Sequence, residues 1–197
     1  VCRRHKKGNI GMALIQDSKK FTLVNRPLLD LKVDAVVNPT NTDLLMGAGI
    51  AGKIRKLGGT DIQEDCLEIG SVGLGQTVVT GGGNLDLQYI IHAATMKIGG
   101  VTSEKNLRSC IESISKRINE YKISRIGIPP MGTGVGRFPL RRCAEVMIET
   151  ILAEVIKRRC LRQVLLAVEE EEDFRVFEAV YFSITEGQKG KAEISSE

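Results

Sequence analysis

Cysteine is sparse and scattered in this 197-residue chain: five residues, with no C-x-x-C pair and only His5 and His92 to complete a ligand set. That supports neither a disulfide framework nor a zinc site, and it points to a reducing cytosol. No stretch approaches the roughly 20 apolar residues of a membrane span, and Val1-Cys2-Arg3-Arg4 leads into no signal-peptide core. Aromatics are few, three Tyr and five Phe, so platforms for stacking bases are scarce. Charge of one sign is barely in excess: a net +4 is too mild to demand a nucleic-acid partner. Internal repeats are absent. No Ser/His/Asp or Cys/His nucleophile constellation assembles from neighbouring motifs, and no cofactor or metal is expected.

What is present is an ordinary globular composition, 42% apolar and 26% charged, in a chain sized for one core. MALIQ and FTLVN flank Asp17-Ser18-Lys19-Lys20 and read as a hairpin at a sheet edge. DAVVN, QTVVT, QYIIHAA, RIGIP and QVLLAV have buried-strand compositions. Helices are predicted from Ile50 to Leu57 and from Asp61 to Ile69 behind a Thr60 N-cap. A third runs from Ser103 to Tyr121, with Leu107, Cys110, Ile111, Ile114 and Ile118 on one face. A fourth runs from Pro139 to Arg159 with proline in its first turn, and a fifth from Phe174 to Phe182. Strands alternating with helices predict an α/β domain with a mixed, largely parallel sheet covered on both faces. One domain is expected over 1–186, with 187–197 a polar, disordered tail.

Two glycine-rich segments stand out. NPTNTDLLMGAGIAGKI (Asn38 to Ile54) follows DAVVN, and MGTGVGRFP (Met131 to Pro139) follows RIGIPP. Each lies between a strand and a helix, where backbone N–H groups converge on an anion and a helix N-terminus adds positive charge. In such folds ligands bind beyond the carboxyl ends of the strands. Both loops in one crevice would suit a ligand with two phosphates.

The obvious nucleotide motifs fail on mechanism. Gly47-Ala48-Gly49-Ile50-Ala51-Gly52 fits G-x-G-x-x-G, but about eight residues separate its first glycine from the strand. The acidic partner would be Asp65 or Glu68, in a helix-like segment. Gly47 to Lys53 fits the front of a P-loop, but Ile54 stands where a Ser or Thr should hold magnesium.

The remaining residues divide between ligand and scaffold. Asn38 and Asn41 carry amides that suit a sugar diol, or they bond their own backbone; the backbone role is favoured for Asn38 and the two are balanced for Asn41. Asp43 is a base, a cap or a solvated carboxylate. Gly47, Gly49 and Gly52 permit close ligand approach, and Ala48, Ile50 and Ala51 keep the loop small and dry. Thr133, Gly134, Val135 and Gly136 play that part opposite. Gly81-Gly82-Gly83-Asn84 reads as a hairpin turn, and His92 as a satisfied core histidine.

VDAVVNPTNTDLLMGAGIAGKI, QTVVTGGGNLDLQYIIHAAT and IGIPPMGTGVGRFPL, in that order, resemble a macrodomain, over about residues 12 to 182. The resemblance implies a three-layer α/β/α fold that binds ADP-ribose, with the two glycine loops clamping diphosphate and distal ribose. Asn41 matches the second Asn of the family's N-A-A-N segment, which contacts that ribose. Three departures bear on function. Ala51 stands where hydrolytic members place Asp. Arg26-Pro27 replaces the Gly-Asp whose carboxylate bonds the adenine amino group. Glu169 replaces an aromatic that stacks on adenine.

The glycine-loop tyrosine common in the family is also missing, and Arg137 follows Gly136. It either reaches the diphosphate or joins Arg141 and Arg142 on a solvated helix face. Three functions are weighed. The first is ADP-ribose binding with hydrolysis of ADP-ribose 1″-phosphate or ADP-ribosyl esters, through a water oriented by Asn41. The second is a non-catalytic reader of ADP-ribosylated protein or poly(ADP-ribose). The third, disfavoured, is RNA or nucleotide binding through Arg3, Arg4, Lys6, Lys7 and Lys157-Arg158-Arg159.

Overall fold

The structure is a computed structural model that describes residues 14–16 and 20–194, with side chains over 20–186. Seven strands form one sheet: β1 (Leu14–Gln16), β2 (Phe21–Val24), β3 (Ala35–Asn41), β4 (Thr77–Gly81), β5 (Tyr89–Met96), β6 (Arg125–Ile128) and β7 (Gln163–Ala167). Their order is β1-β2-β7-β6-β3-β5-β4. β2, β7, β6, β3 and β5 run parallel, and β1 and β4 close the edges antiparallel. All seven strand readings hold, as does the edge hairpin; Met12, Ala13 and Asp17-Ser18-Lys19 lie outside the described residues, as do His5, Arg3, Arg4, Lys6 and Lys7. Gly81 ends β4, and Gly82 to Asn84 fall in the connection between antiparallel β4 and β5.

Helices cover both faces, because alternate residues of each buried strand need apolar cover on opposite sides. Val36 of β3 packs with Ala51 and Ile54 of α1 (Gly49–Gly58) and with Ile62 and Cys66 of α2 (Asp61–Ile69). Ala35 and Val37 pack with α3 (Glu104–Glu120), α4 (Leu140–Thr150) and α5 (Glu171–Ile194). The predicted apolar face of α3 is fully buried in that second layer.

Local chemistry moves several boundaries. Ser103 caps α3, its hydroxyl accepting from Asn106 N–H at 3.2 Å. Thr60 precedes α2 but caps nothing with its hydroxyl; its carbonyl accepts from Gln63 and Glu64 instead. Pro139 is the N-cap of α4 rather than part of its first turn. That helix passes into a π-helical turn, Ile151–Val155, after Thr150 Oγ1 donates to Val146 O at 2.6 Å. The last helix extends through Ile194, well beyond the Phe182 end that its apolar spacing gives.

His92 is the core residue its apolar strand predicts. It is fully buried, with Nδ1 3.0 Å from Asn38 Nδ2 and Nε2 2.9 Å from Thr80 Oγ1. Burial penalises the imidazolium and brings the pKa down to about 4, from 6.5. The unfolded chain therefore binds the extra proton first. Stability is full above pH 6.5 and falls as pH drops toward 4, by on the order of 3 kcal/mol. Urea denaturation from pH 7 to pH 4.5 should show this decline, and His92→Gln should flatten it.

Candidate ligand-binding cleft

From β3 the chain passes to the edge strand β4, comes back as β5 beside β3, and then crosses to β6 on the other side of β3. That reversal leaves a crevice past the carboxyl ends of the parallel strands. A cleft of about 600 Å³ lies there, reached by residues following β7, β6, β3 and β5. Thr40 and Asn41 come from the end of β3, Pro129 and Pro130 from beyond β6, Thr95 and Met96 from β5, and Ala167 to Glu170 from β7.

One wall is Gly47 to Ala51. Ala48 is extended at φ −143°, Gly49 turns left-handed at φ +58°, and α1 starts there. Gly52 N–H closes the first turn onto Ala48 O at 3.1 Å. The preceding N–H groups of that turn have no intrahelical acceptor, so the wall offers donors and the positive end of a helix. Buried Gln63 of α2 anchors it, accepting from Met46 N–H at 2.8 Å and donating to Leu44 O at 3.3 Å.

The facing wall is Gly132 to Gly136. Thr102 sits beneath it: its N–H donates to Gly136 O at 2.8 Å, and a side chain at Gly132 (φ +82°) would lie 2.6 Å from its methyl. Here the helix is not adjacent. Phe138 N–H bonds Gly132 O, Pro139 follows, and no residue of α4 lines the cleft.

Gly47, Ala48, Gly49, Ile50 and Ala51 thus share one cleft with Thr133, Gly134, Val135 and Gly136, and with Asn41. Two sequence candidates are not among the lining residues. Asn38 does not line it; strand alternation points its amide inward to His92, where it is fully buried. Arg137 does not line it either. Its backbone is left-handed at φ +50°, its N–H bonds Gly134 O at 3.0 Å, and the residue is exposed. Asp43 also stays outside, exposed and bonded to Thr42.

Asn41 is at the cleft, but its amide is already employed. Oδ1 accepts from Asp43 N–H at 3.0 Å and Leu45 N–H at 3.3 Å, and Nδ2 donates to Leu45 O at 3.2 Å. It shapes the loop entering the first wall, with one N–H left over.

The two ends of the cleft differ. At the β7 end stand Glu169, Glu170 and Asp173. Glu169 is gripped by Lys53 at 2.9 and 3.0 Å, which takes that lysine away from the P-loop role its spacing mimics. At the β5 end Leu45, Ile98 and Val135 leave 45–63% of their surface exposed. Among the lining residues none is aromatic and none is Lys or Arg, so an anion there meets neutral donors. Buried thiols supply no nucleophile: burial pushes Cys66 up to about 11 and Cys110 and Cys143 up to about 12.

Gln63, Thr102, Gly132, Asp173 and Thr40 escaped the sequence reading. Gly132 alone had a local signal, as the glycine that opens the second segment. Lys157-Arg158-Arg159 precedes β7, at the end of the strands opposite the cleft, and Arg158 bonds Ser115 Oγ at 2.6 Å.

Residues 37–147, which include the first glycine wall and the second, match the Macro domain family model. A Macro domain-containing protein of Caldanaerobacter subterraneus subsp. tengcongensis is 32% identical over 170 residues, 83% of this chain and 96% of its own. The chain belongs to the macrodomain family. The crystal structure of the Trypanosoma brucei macrodomain in complex with ADP-ribose superposes with a TM-score of 0.74 at 26% identity, over 81% of this chain and 68% of that one. The Oceanobacillus iheyensis macrodomain with ADP gives 0.80 at 20% identity, over 91% and 100%, a likeness of fold. No helix among the described residues is long and apolar enough to cross a membrane.

Proposed function

We propose that this chain binds ADP-ribose, free or attached to protein, with its diphosphate between the two glycine walls. The observation that carries this is that Gly47–Ala51 and Gly132–Gly136 line a single cleft. Diphosphate recognition rests on backbone donors and the N-terminus of α1. The base gains little from stacking, since no aromatic lines the cleft. ADP-ribose and ADP should therefore raise the melting temperature, and AMP should do so much less, because one phosphate cannot bridge both walls.

A non-catalytic reader is favoured over a hydrolase. Ala51 brings a methyl group to the first wall, and the amide of Asn41 is spent on its own loop. The lining carboxylates, Glu169, Glu170 and Asp173, gather at the β7 end. Incubation with ADP-ribose 1″-phosphate should leave the phosphate in place while ADP-ribose binds. Release of phosphate that disappears in Asn41→Ala would instead make the chain a hydrolase.

A further inference from the structure

β4 is an outer strand of the sheet, paired only with β5. Ala94 N–H bonds Gln76 O, so Val78 and Thr80 face β5 and the residues between and beside them turn outward. Two of the outward carbonyls are engaged: Arg117 Nη2 donates to Thr77 O at 2.9 Å, and Thr80 Oγ1 donates to Gly81 O at 3.1 Å. Val79 is the open rung, its N–H and C=O directed away from β5, and an unpaired rung is a template for a further strand. A cavity of about 530 Å³ runs along Val79, Thr80 and Gly81.

The two faces of that edge differ. On the α3 face Tyr89 lies opposite Gly81 in the register and meets Tyr121 edge-on, ring centroids 5.0 Å apart. Gly81 has no side chain to fill the gap beside them, and a Cβ there would meet nothing within 4 Å. On the α2 face stand Asp65 and Glu68. α2 holds four exposed carboxylates, Asp61, Glu64, Asp65 and Glu68, and no Lys or Arg. None of the four is in an ion pair among the described residues.

We propose that the β4 edge accepts an extended segment of a basic partner protein as an added strand, one in which apolar side chains alternate with lysine or arginine. The residue paired with Val79 shares its face and lies against the two tyrosines; its neighbours point to the other face, toward Asp65 and Glu68. Main-chain bonds to Val79 set the register, and the two faces select the side chains. Charge disfavours a second copy of this chain. Antiparallel pairing of β4 with itself about a twofold axis keeps like faces together, so two uncompensated α2 helices would oppose each other. The site is separate from the ADP-ribose reading: the cleft begins at Thr95 and Met96, roughly 20 Å along β5 from Tyr89. Both can be filled at once.

The test is fluorescence anisotropy with a short labelled peptide alternating valine and lysine, and a valine–glutamate peptide as control. The unmodified chain should bind the first and not the second, and saturating ADP-ribose should not displace it. Val79→Pro removes the outward N–H at an edge where proline is tolerated, and Asp65→Asn/Glu68→Gln removes the charge; each should weaken binding about tenfold or more. Independently of either variant, hydrogen exchange at the Val79 amide should slow when the peptide is added to the unmodified chain. Undiminished binding by Val79→Pro together with unchanged exchange at Val79 makes the contact one of charge alone and overturns strand addition. Absence of binding, equal binding of the glutamate peptide, or displacement by ADP-ribose also overturns it. A peptide-free dimer in sedimentation that Val79→Pro dissolves would give the edge to a second copy instead.

Discussion

Gly136→Val should cost about two orders of magnitude in ADP-ribose affinity, or roughly 2.7 kcal/mol, and leave the fold in place. Gly136 is buried over Thr102, and a Cβ there would run into the Thr102 hydroxyl and lie 2.7 Å from Gly132 O. Neither neighbour yields easily. Thr102 N–H is tied to Gly136 O at 2.8 Å, and Gly132 O is held by Phe138 N–H at 2.9 Å. The turn must swing away from its seat, so the wall facing Gly47–Ala51 moves while the packed faces of α3 and α4 stay together. Calorimetry with ADP-ribose, alongside circular dichroism to confirm the fold, reads both halves. A variant that binds within threefold of wild type would show that this turn is not a wall of the site.

The second large effect belongs to a residue outside the cleft. Gln63→Leu should destabilise the protein by about 2–4 kcal/mol and weaken binding as well. The leucine fills similar space but leaves Met46 N–H and Leu44 O, both in buried residues, without their partner. Each such orphan costs about 1–3 kcal/mol. For a chain of this size the loss corresponds to roughly 5–15 °C in melting temperature. Leu44, held at φ +58°, and Met46 set the path into Gly47, so the first wall loses its anchor. The melting temperature and the ADP-ribose affinity of one preparation check both effects. An unchanged melting temperature would mean that the backbone finds other partners.

The strands and both glycine walls were legible because their signals are local: Val- and Ile-rich runs, and glycines clustered between a strand and a helix. Glycine placement reports backbone geometry directly, as at Gly49 and Gly132, whose positive φ no side chain favours. Asn38 and Asn41 show where local reading stops. Both sit in a segment that looks like a loop because Pro39 interrupts it, yet β3 continues to Asn41. The proline is tolerated because β6 pairs only with Ala35 and Val36, so Pro39 lies past the end of that partner. Alternation then sends Asn38 to His92 and Thr40 to the foot of the first wall. Gln63 and Thr102 were hidden for another reason. Their partners lie 17 or more residues away along the chain, and no spacing rule links a glutamine on one helix to a loop before another. Arg137 stays open between diphosphate and solvent in the sequence because its direction depends on a left-handed turn at its own backbone.

Amide chemical shifts during one ADP-ribose titration test the central claim most directly. The account predicts that amides of Gly47–Ala51 and Gly132–Gly136 move together along one saturation curve, with the Lys157–Arg159 turn unmoved. Movement of one loop without the other, or of neither, would contradict it.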